Sequence, residues 1–126
     1  MGATVLLVED GRQDRELIGK VLRQDGYEVL EASDGAIALE ILRTFGCDLV
    51  ITDFVMPKLN GIKFKFVEQL HTLQPRLPII LITSYLSAMS GATILNEVAE
   101  ILAKPFDLNV LRSTVRRLLD TPHATN

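Results

Sequence analysis

Cysteine, an excess of basic charge and long hydrophobic runs are all scarce in this 126-residue sequence. The single cysteine, Cys47, excludes an intrachain disulfide and favours a reduced, cytoplasmic protein. Lys and Arg (13) are outnumbered by Asp and Glu (16), so the net charge of −3 offers no basic surface for nucleic acid. The strongest apolar runs, Val5–Val8 and Ile79–Ile82, are too short to span a bilayer, and residues 1–4 lack the features of a secretory signal.

The overall composition is that of an ordinary globular protein. Hydrophobic residues make up 48% of the chain and charged residues 23%, which excludes intrinsic disorder. The length suits one domain, and no linker-like stretch, low-complexity segment or repeat divides the sequence. We therefore expect a single domain over residues 1–120, followed by a frayed tail at 121–126.

Short β-rich runs alternate with amphipathic stretches along the chain. The runs that predict strands, the second of them weaker and suited to a sheet edge, are Thr4–Val8, Glu28–Ala32, Asp48–Asp53, Pro78–Thr83 and Glu100–Ala103. The apolar faces that predict helices are Leu17, Ile18, Val21 and Leu22; Ala38, Ile41, Leu42 and Phe45; Ile62, Phe66, Val67, Leu70 and Leu73; and Leu108, Leu111, Val115 and Leu118. Ser33 or Asp34 is expected to cap the second helix, Gly46 to end it, and Asp107 to cap the last. This alternation implies right-handed βαβ crossovers and a mostly parallel sheet with helices on both faces.

Polar or charged residues follow four of the five predicted strands. They are Glu9-Asp10, Asp53, Thr83-Ser84 and Lys104-Pro105. Because function collects at the carboxyl ends of parallel strands, we expect these side chains at one edge of the sheet. Neighbouring carboxylates repel one another unless a cation lies between them, and oxygen ligands with an incomplete protein shell favour Mg²⁺. Together with a lysine and a threonine, such a cluster could hold a phosphoryl group attached to one of the carboxylates.

From about Val5 to Leu119, the chain resembles the receiver domain of two-component response regulators, the CheY-like superfamily. The segments that carry the resemblance are Glu9-Asp10, Asp53-Phe54-Val55-Met56-Pro57 with Asn60-Gly61 after it, Thr83, and Lys104-Pro105-Phe106. Each segment alone is a weak signal, but the second and the last at this separation are specific. The resemblance implies a flavodoxin-like, three-layer α/β/α fold with a doubly wound, five-stranded parallel sheet in the order 2-1-3-4-5.

The resemblance also implies roles for the strand-end residues. Asp53 would accept a phosphoryl group from a histidine kinase or a histidine phosphotransfer protein in a reaction that depends on Mg²⁺. Asp10, Asp53 and the backbone carbonyl of Val55 would bind the Mg²⁺ directly, and Glu9 would act through water. Lys104 would pair with the phosphoryl oxygens, and Thr83 would hydrogen-bond to them as the switch closes. The Lys104–Pro105 peptide bond would be cis.

By the same resemblance, the protein is a signalling domain that catalyses only its own phosphorylation and dephosphorylation. Its output surface would be the fourth helix, the fifth strand and the last helix. That surface would act on a protein target or an attached output domain, or support a phosphorylation-linked homodimer. We expect no direct contact with nucleic acid and no membrane insertion. A stand-alone regulator and the receiver piece of a longer regulator or hybrid kinase both remain open.

Three departures from the family pattern concern output and lifetime. Ile101 stands three residues before Lys104, where the family usually carries an aromatic ring that turns inward, so we expect a different or weaker switch. Val55 and Tyr85 occupy positions that border the path of the hydrolytic water in the family, and these side chains predict slow self-dephosphorylation. Poor helix formers between residues 86 and 98 predict a short or mobile fourth helix.

Three other classes of protein share some of these features. A phosphatase of the haloacid dehalogenase class needs a second acid two residues after the nucleophile, where this chain has Val55. A nucleotide-binding α/β module needs a glycine-rich phosphate loop, and neither G-x-G-x-x-G nor G-x-x-x-x-G-K-[ST] occurs. A receiver that serves only as an interaction scaffold is disfavoured because all the acidic and basic site residues are present.

Overall fold

The computed structural model of the protein describes residues 2–54, 62–84 and 98–120. In chain order the elements within these residues are β1 (Thr4–Val8), α1 (Arg12–Gln24), β2 (Glu28–Ala32), α2 (Gly35–Phe45), β3 (Leu49–Phe54), α3 (Ile62–Leu73), β4 (Ile79–Thr83), β5 (Glu100–Ala103) and α4 (Leu108–Asp120). Strands β1, β2 and β5 have the predicted bounds, whereas β3 and β4 begin one residue later than predicted. The predicted fourth helix falls almost entirely outside the described residues, and the predicted tail at 121–126 lies wholly outside them.

The strands form one parallel sheet in the order β2-β1-β3-β4-β5. This order confirms the doubly wound, flavodoxin-like arrangement, and it places β2 at an edge as the weaker pattern of that strand predicted. The order of connection reverses between β1 and β3, so a crevice opens at their carboxyl ends. The polar residues that follow these two strands therefore lie at the topological switch point.

The sheet separates two hydrophobic cores. Successive strand residues point to opposite faces, so Leu6 and Val8 pack on one side while Val5 and Leu7 pack on the other. The first core lies under α2 and α3, and the second lies under α1 and α4. Because both faces are covered, the central strands are apolar at nearly every position, which is why they appear in the sequence as continuous hydrophobic runs.

The ends of the helices follow the predicted local chemistry. The Asp34 side chain accepts a hydrogen bond from the Ile37 amide at 2.9 Å and so caps α2. Gly46 ends the same helix with φ 71° and ψ 171°, a backbone conformation that essentially only glycine adopts. The Asp107 side chain accepts a hydrogen bond from the Asn109 amide at 2.7 Å at the start of α4.

The helix faces are narrower than the sequence pattern suggested. Leu17, Phe45 and Leu73 belong to the apolar spacing that predicted the first three helices, and these side chains are 49%, 69% and 54% exposed. Each lies at the margin of its stripe, beyond the width that the sheet covers. Among the described helices, none combines the length and the apolar character needed to cross a membrane.

Candidate functional site

Three carboxylates converge at the carboxyl edge of the sheet. Glu9 and Asp10 follow β1 directly, and Asp53 lies near the end of β3, where it pairs in register with Ile82 of β4. One oxygen from each of the three carboxylates lies within 4.8 Å of the others. The parallel register of β1 and β3 produces this proximity, because it brings both strand ends to the same level.

Glu9 is held by its backbone and by both oxygens of its side chain. Its amide donates to the carbonyl of Ala32 at 3.0 Å, which ties the segment after β1 to the end of β2. Its Oε2 accepts from the Gly11 amide at 2.9 Å, at the residue that begins α1. Its Oε1 lies 3.3 Å from the Lys104 ammonium. The carboxylate is 2% exposed, so it is buried, and these contacts fix it in place.

Lys104 places a positive charge between the carboxylates. Its Nζ lies 3.3 Å from Asp53 Oδ1, 3.3 Å from Glu9 Oε1 and 3.6 Å from Asp14 Oδ2. Its amide donates to the carbonyl of Thr83 at 2.7 Å, which fixes the chain where it leaves β5. The Lys104–Pro105 peptide bond is cis, as the resemblance implied.

The charges at this edge are incompletely balanced. Burial, and then the neighbouring charge of Glu9, raises the pKa of Asp53 to about 6, although Lys104 opposes the change. Burial alone would lower the pKa of Lys104, but the carboxylates of Asp53 and Glu9 outweigh burial and hold that pKa above its ordinary value. Within the part of the chain that the structure describes, one ammonium therefore serves a cluster of carboxylates.

This donor set fits a hard divalent cation. All the ligand atoms that the cluster offers are carboxylate oxygens, which favour Mg²⁺ or Ca²⁺ over softer metals. Three protein carboxylates leave room for water or phosphoryl oxygens in an octahedral shell, which suits Mg²⁺.

Thr83 and Val55 are the remaining predicted site residues, and of these two the structure describes only Thr83. Thr83 ends β4 with its side chain fully buried, and it pairs in register with Phe54 and Ala103 at the same edge of the sheet. The carbonyl of Val55 was expected among the metal ligands, and Val55 lies outside the described residues, as does Tyr85. The structure therefore brings together Glu9, Asp10, Asp53 and Lys104, with Thr83 on an adjacent strand.

The lysine side of the site opens to solvent through a cleft of about 440 Å³ between α1 and the start of α4. Its lining includes Asp14, Leu17, Ile18, Lys104, Phe106 and Leu108. The exposure of Leu17 follows from this cleft, because α4 does not close over that part of α1. Lys104 can therefore be reached from solvent on this side.

Sequence reasoning missed two residues that act on the site. The exposed carboxylate of Asp14 shares Lys104, and Arg15 Nη1 donates to the backbone carbonyl of Glu9 at 2.9 Å. Both residues lie in the first turn of α1, where a side chain can reach back to the end of β1. Their position three and four residues after Gly11, one helical turn beyond the start of the helix, permits these contacts but does not by itself indicate them.

The fold and the site together define a class of protein. The chain is a doubly wound α/β domain with acidic side chains and a lysine at its topological switch point. The family model of the response regulator receiver domain matches residues 5–116. The chain therefore belongs to the receiver domain family of response regulators, the signalling domains of two-component systems, which confirms the family predicted from the motifs.

Relatives of two different lengths match the chain. The response regulator receiver protein CpdR of Brucella abortus is 32% identical over 91% of this chain and 95% of its own length. The response regulator FleR of Pseudomonas aeruginosa is 33% identical over 93% of this chain, which spans 24% of FleR. Among solved structures, the response regulator TrrA of Thermotoga maritima in complex with Mg²⁺-BeF superimposes with a TM-score of 0.81 at 30% identity, over 94% of this chain and 100% of that one.

Proposed function

We propose that this protein is the phosphoacceptor of a two-component phosphorelay and that Asp53 takes the phosphoryl group. One observation carries the proposal. The buried Asp53 carboxylate lies at the switch point with a lysine ammonium 3.3 Å away and two further carboxylates close enough to share a cation with it. This arrangement gives one nucleophilic oxygen and two sources of positive charge for the phosphoryl oxygens.

In the proposed step, an oxygen of the Asp53 carboxylate forms a bond to the phosphorus atom of a phosphohistidine. The bond from phosphorus to the histidine nitrogen breaks, the nitrogen keeps the electron pair, and Asp53 becomes an acyl phosphate. Asp53 must be ionised to attack, and a pKa of about 6 leaves it mostly ionised at neutral pH. The donor would be a histidine kinase or a histidine phosphotransfer protein.

Asp10 and Asp53 would bind Mg²⁺ directly, with the carbonyl of Val55 as the family resemblance implies, and Glu9 would act through water. When bound, Mg²⁺ supplies positive charge to the carboxylates and to the phosphoryl oxygens. Lys104 already lies within reach of Asp53 Oδ1 and would pair with a phosphoryl oxygen attached there. TrrA, which is 30% identical, was solved with Mg²⁺-BeF, and this supports the same ligand chemistry here.

The output would pass from Thr83 to the surface formed by the predicted fourth helix, β5 and α4. Strand β5 is at the edge of the sheet. The Lys104 amide donates a hydrogen bond to the carbonyl of Thr83, so the ends of β4 and β5 are coupled. Ile101 packs against the core under α2 and α3 and has no ring to rotate, which supports a weaker or different switch. The recipient would be a protein target, an attached output domain or a second phosphorylated copy.

We propose that the protein catalyses only its own phosphorylation and dephosphorylation. We also propose that the protein acts in the cytoplasm. Burial raises the pKa of the Cys47 thiol to about 11, so this cysteine is a poor nucleophile.

Intact-mass analysis after incubation with acetyl phosphate and Mg²⁺ tests the proposal directly. We expect one added phosphoryl group on the native protein, and none on Asp53→Asn or without Mg²⁺. Asp48→Asn is the matched control, because Asp48 is an exposed carboxylate just before β3, at the opposite end of the same strand. It should be phosphorylated like the native protein.

An adduct that persists in Asp53→Asn would overturn the assignment of the acceptor. No adduct at short or long times, in a protein that still binds Mg²⁺, would point to a donor-selective receiver. The absence of both an adduct and Mg²⁺ binding would instead favour the scaffold alternative.

A further inference from the structure

Arg15 connects the acidic site to the second strand. Its Nη1 donates to the backbone carbonyl of Glu9 at 2.9 Å, and its Nε lies 3.5 Å from Glu31 Oε1 on β2. The side chain is 19% exposed, so the contact is shielded from most competing water. Its own amide donates to the carbonyl of Gly11, which fixes the residue in the first turn of α1.

The carbonyl that Arg15 holds belongs to the peptide group between Glu9 and Asp10. Because a peptide group is planar, a hydrogen bond to its oxygen also restricts the direction in which the chain enters Asp10. The other anchors in this segment act on the Glu9 amide and on the Glu9 carboxylate. The bond from Arg15 acts on the peptide group before Asp10, and the bond from the Gly11 amide to the Glu9 carboxylate acts on the peptide group after it.

We propose that Arg15 is a positioning residue for the acidic site, which holds the Glu9–Asp10 peptide so that the carboxylates of both residues face Asp53. Arg15 does this through the carbonyl of Glu9 and is itself held by Glu31. The proposal rests on the proposed function, since it names the residue that shapes the cation site. A partner that orients metal ligands without touching the metal commonly changes metal affinity by about 10–100-fold.

The chain supplies a matched control in Arg23. This arginine also lies on α1, pairs with the same Glu31 at 2.9 Å and donates to a backbone carbonyl, that of Val29, at 3.0 Å. It differs in that its carbonyl is on β2 and far from the acidic cluster. Arg15→Lys and Arg23→Lys both keep the positive charge, so a difference between them reports geometry and not electrostatic repulsion of Mg²⁺.

The experiment measures Mg²⁺ affinity by isothermal titration calorimetry for the native protein and both lysine variants. Urea unfolding of each variant shows whether it is folded. We expect Arg15→Lys to weaken Mg²⁺ binding about tenfold and Arg23→Lys to leave it unchanged, because a lysine cannot span the carbonyl and the carboxylate as the guanidinium fork does. Native affinity in Arg15→Lys, or equal losses in both variants, would overturn the proposal.

Amide hydrogen exchange without metal gives a second readout that does not depend on the proposed function. Exchange at Asp10 and Gly11 should accelerate in Arg15→Lys and stay native in Arg23→Lys. If the native protein failed to bind Mg²⁺, the proposed function would lose its cation, while exchange at these amides would still decide the role of Arg15. Unchanged exchange in Arg15→Lys would refute that role.

Discussion

At the scale of single residues, the fold holds buried carboxylates close to one another. Asp53 and Glu9 are both almost fully buried, and among the described side chains the ammonium of Lys104 lies between them. Burying carboxylates together disfavours their charged forms, and this is seen in the raised pKa of Asp53. The ionised Asp53 carboxylate therefore lowers the stability of the fold. It lies where it could bind a cation or accept a phosphoryl group.

This cost gives a prediction for Asp53→Asn that has a definite sign. The folded-state pKa of about 6 lies above the ordinary value of 3.8, so the folded state binds more protons than the unfolded state between these pH values. The contribution of Asp53 to the free energy of unfolding thus falls as pH rises through this window. Asp53→Asn has no carboxylate to ionise at this position, so its free energy of unfolding does not fall in this way. We expect the variant to be more stable than the native protein by about 2 kcal/mol near neutral pH and nearly equal to it at about pH 4.

Urea unfolding with a chelator at both pH values measures this difference. Asp48→Asn serves as the control, because its carboxylate is exposed, and its stability relative to the native protein should not follow the same pH trend. A native protein that is more stable than Asp53→Asn near neutral pH without metal would contradict the electrostatic account.

At the scale of elements, the sequence predicted where the strands and helices lie along the chain better than it showed how much of each helix face is covered. Strand bounds were accurate because a strand covered on both faces must be apolar at nearly every position, as in the run from Val5 to Val8. Leu17 and Phe45 belong to the apolar spacing that predicted their helices, but they lie at the margins of the covered faces and are 49% and 69% exposed. Spacing along a helix shows which side is apolar, but the width of the covered strip depends on where the neighbouring helix packs.

The same distinction applies to the candidate site. Residues at strand ends could be grouped from the sequence, because the carboxyl ends of parallel strands converge at one edge. Arg15 could not be assigned, because its contact joins a helix side chain to a backbone carbonyl of another element. No pattern of residue types specifies such a contact before the packing of α1 against β1 and β2 is known.

The contact between α1 and α4 supports a prediction at this scale. Arg112 donates to both oxygens of Asp25, the C-cap of α1, at 2.9 and 2.8 Å. Its hydrogen bonds lower the pKa of Asp25, so the pair stabilises the fold above the ordinary carboxyl pKa, and this stability is lost as pH falls through the lowered value. We expect Arg112→Met to lower the thermal midpoint by a few degrees at neutral pH and to differ little from the native protein in acid.

Thermal unfolding followed by circular dichroism across this pH range provides the measurement. Arg116→Met is the matched control, since Arg116 is exposed on the same helix and acts on Asp25 through charge alone. If both variants lost the same stability, the paired hydrogen bonds would contribute nothing beyond the charge.

At the scale of the whole molecule, two hydrophobic cores pack against opposite faces of the same sheet. Leu81 and Ile80 are neighbours on β4, both fully buried, but Leu81 packs under α2 and α3 and Ile80 under α1 and α4. A defect on one face therefore weakens a strand on which the other face also packs. This arrangement predicts that the two layers unfold as one cooperative unit rather than in turn.

Leu81→Ala tests that cooperativity. Removing this side chain from a closed core should lower the free energy of unfolding by about 2–5 kcal/mol. Because unfolding is shared, the slowest-exchanging amides of α1, on the opposite face, should lose as much protection as those of α2. Leu17→Ala removes the same atoms at a position that is 49% exposed and should change protection little on either face. A loss of protection confined to α2 and α3 would instead mean that the layer beside the damaged core opens by itself while the sheet and α1 stay folded.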